Sequence, residues 1–132
     1  MNKTFKHMTP LLSHSRRPDI TFRRDGCIQI SARVARLLHL AAGDSINVAV
    51  HDSEHLLYAI PAGRGHYEAR CRPTKRGSLN LAANSVRLCR AMLALCPTDT
   101  LRVAYPAGEP LTMGGTTYLP IITRNPLKIK QR

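Results

Sequence analysis

Residues 26–50, GCIQISARVARLLHLAAGDSINVAV, decide how the chain folds. Ile28 and Ile30 alternate with Cys27 and Gln29, so they share one face of a short strand. Ser31 then stands where a hydroxyl can accept a bond from an unpaired first-turn amide, which predicts a helix N-cap. Val34, Leu37 and Leu38 follow at the spacing of one apolar helical stripe. Gly43 supplies a residue that tolerates a left-handed close to the helix. Asp44 completes the turn, and Ile46, Val48 and Val50 alternate into a second strand. The stretch is a strand–helix–strand unit.

Working outward, Ile20-Thr21-Phe22 reads as a short strand, and residues 23–26 as a tight turn into that unit. Residues 51–54 are turn-like, and 56–60 form a further strand that stops at Pro61. The pattern then recurs. Residues 67–71 read as a strand, 74–77 as a turn, and Leu79 and Leu81 alternate as Ile28 and Ile30 do. Val86, Cys89 and Leu93 form a helical stripe, and residues 99–105 match 44–50 nearly position for position. Gly26 precedes Asp44 by 18 positions and Gly77 precedes Asp99 by 22. The difference is close to one turn of about 3.6 residues, which places an extra turn in the second helix. Gly114-Gly115 predicts a hairpin turn before a last strand at 118–122. The expected organisation is a basic N-terminal arm at 1–18, a first repeat at 19–61, a linker at 62–66, a second repeat at 67–123 and a basic tail at 124–132. The repeats share one globular domain of mostly β structure with two helices, an α+β class.

The formal charge is +12, from 20 Lys and Arg against 8 Asp and Glu, and its distribution is uneven. Residues 1–24 hold six bases and one acid, 124–132 hold four bases and no acid, and 64–76 hold five bases and one acid. Such concentrations suit a polyanion, nucleic acid first. No apolar run has the length or flanks of a signal peptide or a membrane span, so the expectation is a cytoplasmic chain without a membrane partner. Cys27, Cys71, Cys89 and Cys96 lack metal-ligand spacing and are expected as free thiols.

Gly26, Ile28, Ile30, Val34, Arg36, Leu38, Leu40, Gly43-Asp44, Ile46 and Val48 together resemble the AbrB/MazE/SpoVT family of swapped-hairpin DNA-binding domains. The second copy resembles it through Gly77, Leu79, Leu81, Arg87, Asp99, Leu101 and Val103. The resemblance implies a swapped-hairpin β-barrel. In it, two strand–strand–helix–strand–strand repeats of one chain stand in for the two protomers of a dimer. A double-psi β-barrel is the alternative architecture. Either half, at about fifty residues, is too small to bury a core by itself. Ser31 and Ala82 stand where the family usually has proline, and Cys27 and Ser78 where it often has a base after the turn glycine.

The resemblance implies a DNA-contacting face around the hairpin turns and helix starts. Its candidates are Arg23, Arg24, Lys75 and Arg76, with Arg33, Arg36, Arg72 and Arg87 nearby. The expected partner is duplex DNA, and the expected role is a transcriptional regulator or antitoxin-like component. No catalytic residue, metal ligand or cofactor site is expected, and the chain is read as non-enzymatic. His51-Asp52-Ser53-Glu54-His55 spells H-x-x-E-H, but that zinc chemistry needs a helix to bring both imidazoles together, and these residues join two alternating strands. The competing reading is a protein-interaction module that keeps the barrel without DNA recognition.

Overall fold

The computed structural model describes residues 18–63 and 68–124, and the backbone of 127–130. Residues 1–17 of the expected arm, 64–66 of the expected linker, and 125, 126, 131 and 132 of the expected tail lie outside the described residues. In chain order the elements are β1 (Ile20–Arg23), β2 (Cys27–Ile30), α1 (Ala32–Leu37), β3 (Ser45–His51) and β4 (Glu54–Ile60). They continue with β5 (Arg72–Pro73), β6 (Leu81–Asn84), α2 (Val86–Leu93), β7 (Thr100–Tyr105), β8 (Leu111–Met113), β9 (Thr116–Ile121) and β10 (Leu127–Lys130). The described strands form two antiparallel sheets and no closed barrel. The first runs β10-β7-β1-β2-β6-β5 and the second β3-β4-β9-β8.

The first hairpin, β1–β2, is enclosed by strands of the second half. β1 pairs with β7 over four residues, from Ile20 opposite Tyr105 to Arg23 opposite Arg102. β2 pairs with β6, with Cys27 opposite Asn84 and Ile30 opposite Leu81. Each of these two strands leads directly into a serine-capped helix. Ser31 Oγ accepts Val34 N–H at 3.2 Å and Ser85 Oγ accepts Leu88 N–H at 3.1 Å. In the second sheet β4 pairs with β9, which again joins the first half to the second.

Alternation along the strands decides the core. Ile20, Phe22, Ile28, Ile30, Val103 and Tyr105 point inward from the first sheet, and Ile46, Leu57 and Leu119 from the second. Phe22 and Tyr105 meet as tilted rings with centroids 6.1 Å apart, and the Tyr105 hydroxyl donates to the Met92 carbonyl at 3.1 Å. That bond satisfies a fully buried phenol, which would otherwise lose its hydration without return. From α2, Cys89, Met92 and Leu93 reach the same core.

Several expectations shift. The second half departs by three residues from the expected Gly26–Gly77 alignment: Leu79 is 77% exposed, and the strand begins only at Leu81. Eight positions separate Gly77 from Ser85 against five between Gly26 and Ser31. Most of the extra length therefore enters a wider turn rather than the helix. The first helix ends at Leu37, with His39 in the left-handed region at φ 54°, so Gly43 (φ 97°) serves the turn into β3 instead. Val86 is exposed, and Met92 takes its expected place on the buried stripe. Part of the expected basic tail is an edge strand, β10, paired with β7.

Two tight hairpins follow their sequence signals. Asp52 and Ser53 both have positive φ, as do Gly114 and Gly115, the geometry that matches strand twist in a two-residue turn. His51 faces Glu54 across the first of these turns, so H-x-x-E-H lies on a hairpin. Among the described residues no three His, Cys, Asp or Glu side chains gather as a metal site, and all four cysteines are free thiols. No described helix is long and apolar enough to cross a membrane.

Candidate nucleic-acid interface

The β1–β2 turn carries the first basic pair. Asp25 fixes the turn by accepting Cys27 N–H at 3.0 Å, and its carboxylate also takes the Arg23 guanidinium at 2.7 Å. Arg24 points elsewhere. Its guanidinium donates to the carbonyls of Thr98 and Thr100, at 2.5 and 2.6 Å, and clasps the turn that leads from α2 into β7. Arg24 therefore ties the first hairpin to the second half, and much of its donor capacity is spent there.

Register places a residue that the sequence reading missed. Arg102 lies directly opposite Arg23 and is exposed, with no ion pair among the described residues. Like charges in directly opposed positions destabilise a sheet. Asp25 offsets only one of the two. The alternation of Arg102 between Leu101 and Val103 was the available signal, but only pairing with β1 reveals its neighbour.

Arg23 and Arg102 project from the outer face of the first sheet. Two residues along the strands, the same face carries a row across five strands: Ala104, Thr21, Gln29, Ala82 and Arg72. No Asp or Glu occupies these rows. Beyond Arg72 the chain enters the β5–β6 turn. Thr74 Oγ1 meets Ser78 Oγ at 3.0 Å and Ser78 N–H donates to the Lys75 carbonyl at 2.9 Å. Lys75 and Arg76 are exposed on this turn, and neither has an ion-pair partner among the described residues. From strand spacing, Arg72 and Arg23 stand roughly 15 Å apart, with neutral residues between them. The two turns themselves lie at opposite ends of the antiparallel β2–β6 ladder.

The helix-start arginines are occupied differently. Arg33 donates to Asp19 at 3.0 Å, and Asp19 is buried; it also accepts Ala107 N–H at 2.8 Å and the Ser31 hydroxyl at 3.3 Å. Arg87 donates through Nε and Nη2 to Glu68, which also accepts the Ser85 hydroxyl at 2.5 Å. Each half thus holds an acid, its capping serine and the arginine two positions later. The Glu68 contact raises the Arg87 pKa. Arg36 is exposed on α1 and lines a separate cleft. The eight expected residues therefore divide: Arg23, Arg72, Lys75 and Arg76 border the outer face, Arg24, Arg33 and Arg87 are engaged by the fold, and Arg36 stands apart. No protein-family model, no curated protein and no solved structure matches this chain.

Proposed function

We propose that the chain binds duplex DNA as a cytoplasmic, non-enzymatic regulator or antitoxin-like component, built as a swapped-hairpin pseudo-dimer within one polypeptide. The observation that carries this reading is the acid-free outer face of the first sheet, bounded by Arg23 and Arg102 at one end and by Arg72, Lys75 and Arg76 at the other. The span of roughly 15 Å is enough to reach phosphates on both sides of a major groove about 12 Å wide. Phosphate contacts relieve the repulsion between Arg23 and Arg102, and supply affinity without sequence preference. The swapped-hairpin part of the reading is supported by the β1–β7 and β2–β6 pairings and by the two serine-capped helices.

Binding of a labelled duplex to the full chain tests it. Arg102→Ala and Arg72→Ala are expected to weaken binding, with Arg87→Ala, whose cation is neutralised by Glu68, close to the parent. Equal effects from all three would count against the assigned face.

One observation favours a protein-interaction role. The outer face of the second sheet carries Ala49, Tyr58, Leu111, Tyr118 and Pro120 around buried Leu56, and its only acid among the described residues is Glu54 beside the hairpin turn. Tyr58 and Tyr118 are directly opposed with ring centroids 5.4 Å apart. Tyrosine-rich surface with few charges is characteristic of interface cores. Retained duplex binding in Tyr58→Asp would separate the two surfaces.

A further inference from the structure

A cleft opens beside α1, away from the outer face of the first sheet. Its volume is about 850 Å³, whereas the matching cleft beside α2 holds about 270 Å³. The difference has a structural origin. β3 runs straight past Glu68 and Arg87, but β7 ends at Tyr105 and the chain turns at Pro106, leaving open space over Arg33 and Arg36.

Polar bookkeeping in this cleft is one-sided. The Asp19 carboxylate already accepts three donors. Ser31 Oγ accepts Val34 N–H, Asn80 Oδ1 accepts Ala32 N–H at 2.9 Å, and the Pro106 carbonyl accepts Ile122 N–H at 2.9 Å. The donors are not spent. Arg36 and the Asn80 amide have no partner among the described residues, and Arg33 commits only Nη1. In the matching cleft Arg87 commits both Nε and Nη2 to Glu68. One copy of the duplicated network is closed and the other is open.

We infer that the α1 cleft binds a small organic carboxylate carrying an apolar body. Arg36 takes the carboxylate, with Arg33 and the Asn80 amide beside it, because only an acceptor can satisfy a set of unspent donors. Two arginines against Asp19 leave one net positive charge, which matches a monoanion. Pro18, Ala32, Pro106, Ala107 and Ile122 supply the apolar wall; Ile122 is 37% exposed. The volume lies in the usual range for small-molecule pockets. This site does not depend on the DNA reading.

Amide chemical shifts of the full chain, titrated with 4-phenylbutyrate, test the inference. Acetate and 4-phenylbutan-1-ol serve as probes for charge alone and apolar body alone. Saturable shifts are expected at Ala32, Arg36, Asn80 and Ala107 with the carboxylate, and much weaker ones with either control. Arg36→Ala, at an exposed position that leaves the fold intact, should weaken binding roughly tenfold or more. Arg90→Ala, at the matching position of α2, should leave it unchanged. Absence of saturable shifts, equal binding of the alcohol or acetate, or an unaffected Arg36→Ala protein would overturn the assignment.

Discussion

Gly26 sits against Val86: a β-carbon on the glycine would lie 2.8 Å from Val86 Cγ2. The turn of the first hairpin thus packs on the first residue of the second helix. Asn80 and Ala32 make the corresponding contact on the other side of the β2–β6 ladder, through the bond from Ala32 N–H to Asn80 Oδ1. Gly26→Ala is expected to destabilise the protein by roughly 2–4 kcal/mol, from its φ of 99° and from the clash. Adding Val86→Ala should restore part of that loss, since it removes the clash and leaves the backbone strain. Chemical denaturation of the single and double variants measures both contributions.

The two acid–serine–arginine networks differ in burial, so their removal should differ in cost. The Asp19 side chain is 10% exposed, and its loss leaves Ala107 N–H, the Ser31 hydroxyl and Arg33 without their acceptor. Asp19→Ala is expected to cost about 2–4 kcal/mol. The Arg87 side chain is 86% exposed, and Arg87→Ala should leave the unfolding midpoint near that of the parent. Thermal melts of both variants check the contrast.

Stability should fall at alkaline pH. Burial pushes the thiols of Cys71 and Cys89 up to about 11 from an ordinary 9.0. Burial also raises the Tyr105 phenol. The folded state holds these protons where the unfolded chain releases them. Their stabilisation is therefore complete below pH 9 and is lost as pH rises toward about 11, each thiol contributing a slope of about 1.4 kcal/mol per pH unit. Denaturation midpoints followed across this window should decline, and the decline should flatten in a chain carrying Cys71→Ala and Cys89→Ala.

Much of the fold was legible where its signals are local. Strand alternation at Ile28 and Ile30, the cap at Ser31 and the turns at Asp52-Ser53 and Gly114-Gly115 each act within a few residues, and each appears in place. The second half misled through Gly77, which resembles Gly26 but opens a longer turn; the inward positions of the strand that follows are Leu81 and Ala83, opposite Ile30 and Ile28, and Leu79 is left in solvent. The candidate site was harder. Asp19 and Glu68 look like ordinary polar residues in sequence, yet they engage Arg33 and Arg87 from 14 and 19 positions away. Arg102 was invisible as a partner of Arg23 because nearly eighty residues separate them. Only sheet register brings them together.

The outer-face claim is tested most directly by the salt dependence of duplex binding in the full chain and in a variant carrying Arg23→Ala, Arg72→Ala and Arg102→Ala. Each lost phosphate contact should lower the slope of log affinity against log salt by about 0.9. The parent should therefore show a steep decline with salt, and the triple variant a weaker affinity with a slope shallower by about three. An unchanged slope in the variant, or no measurable duplex binding by the parent at low salt, would contradict the account.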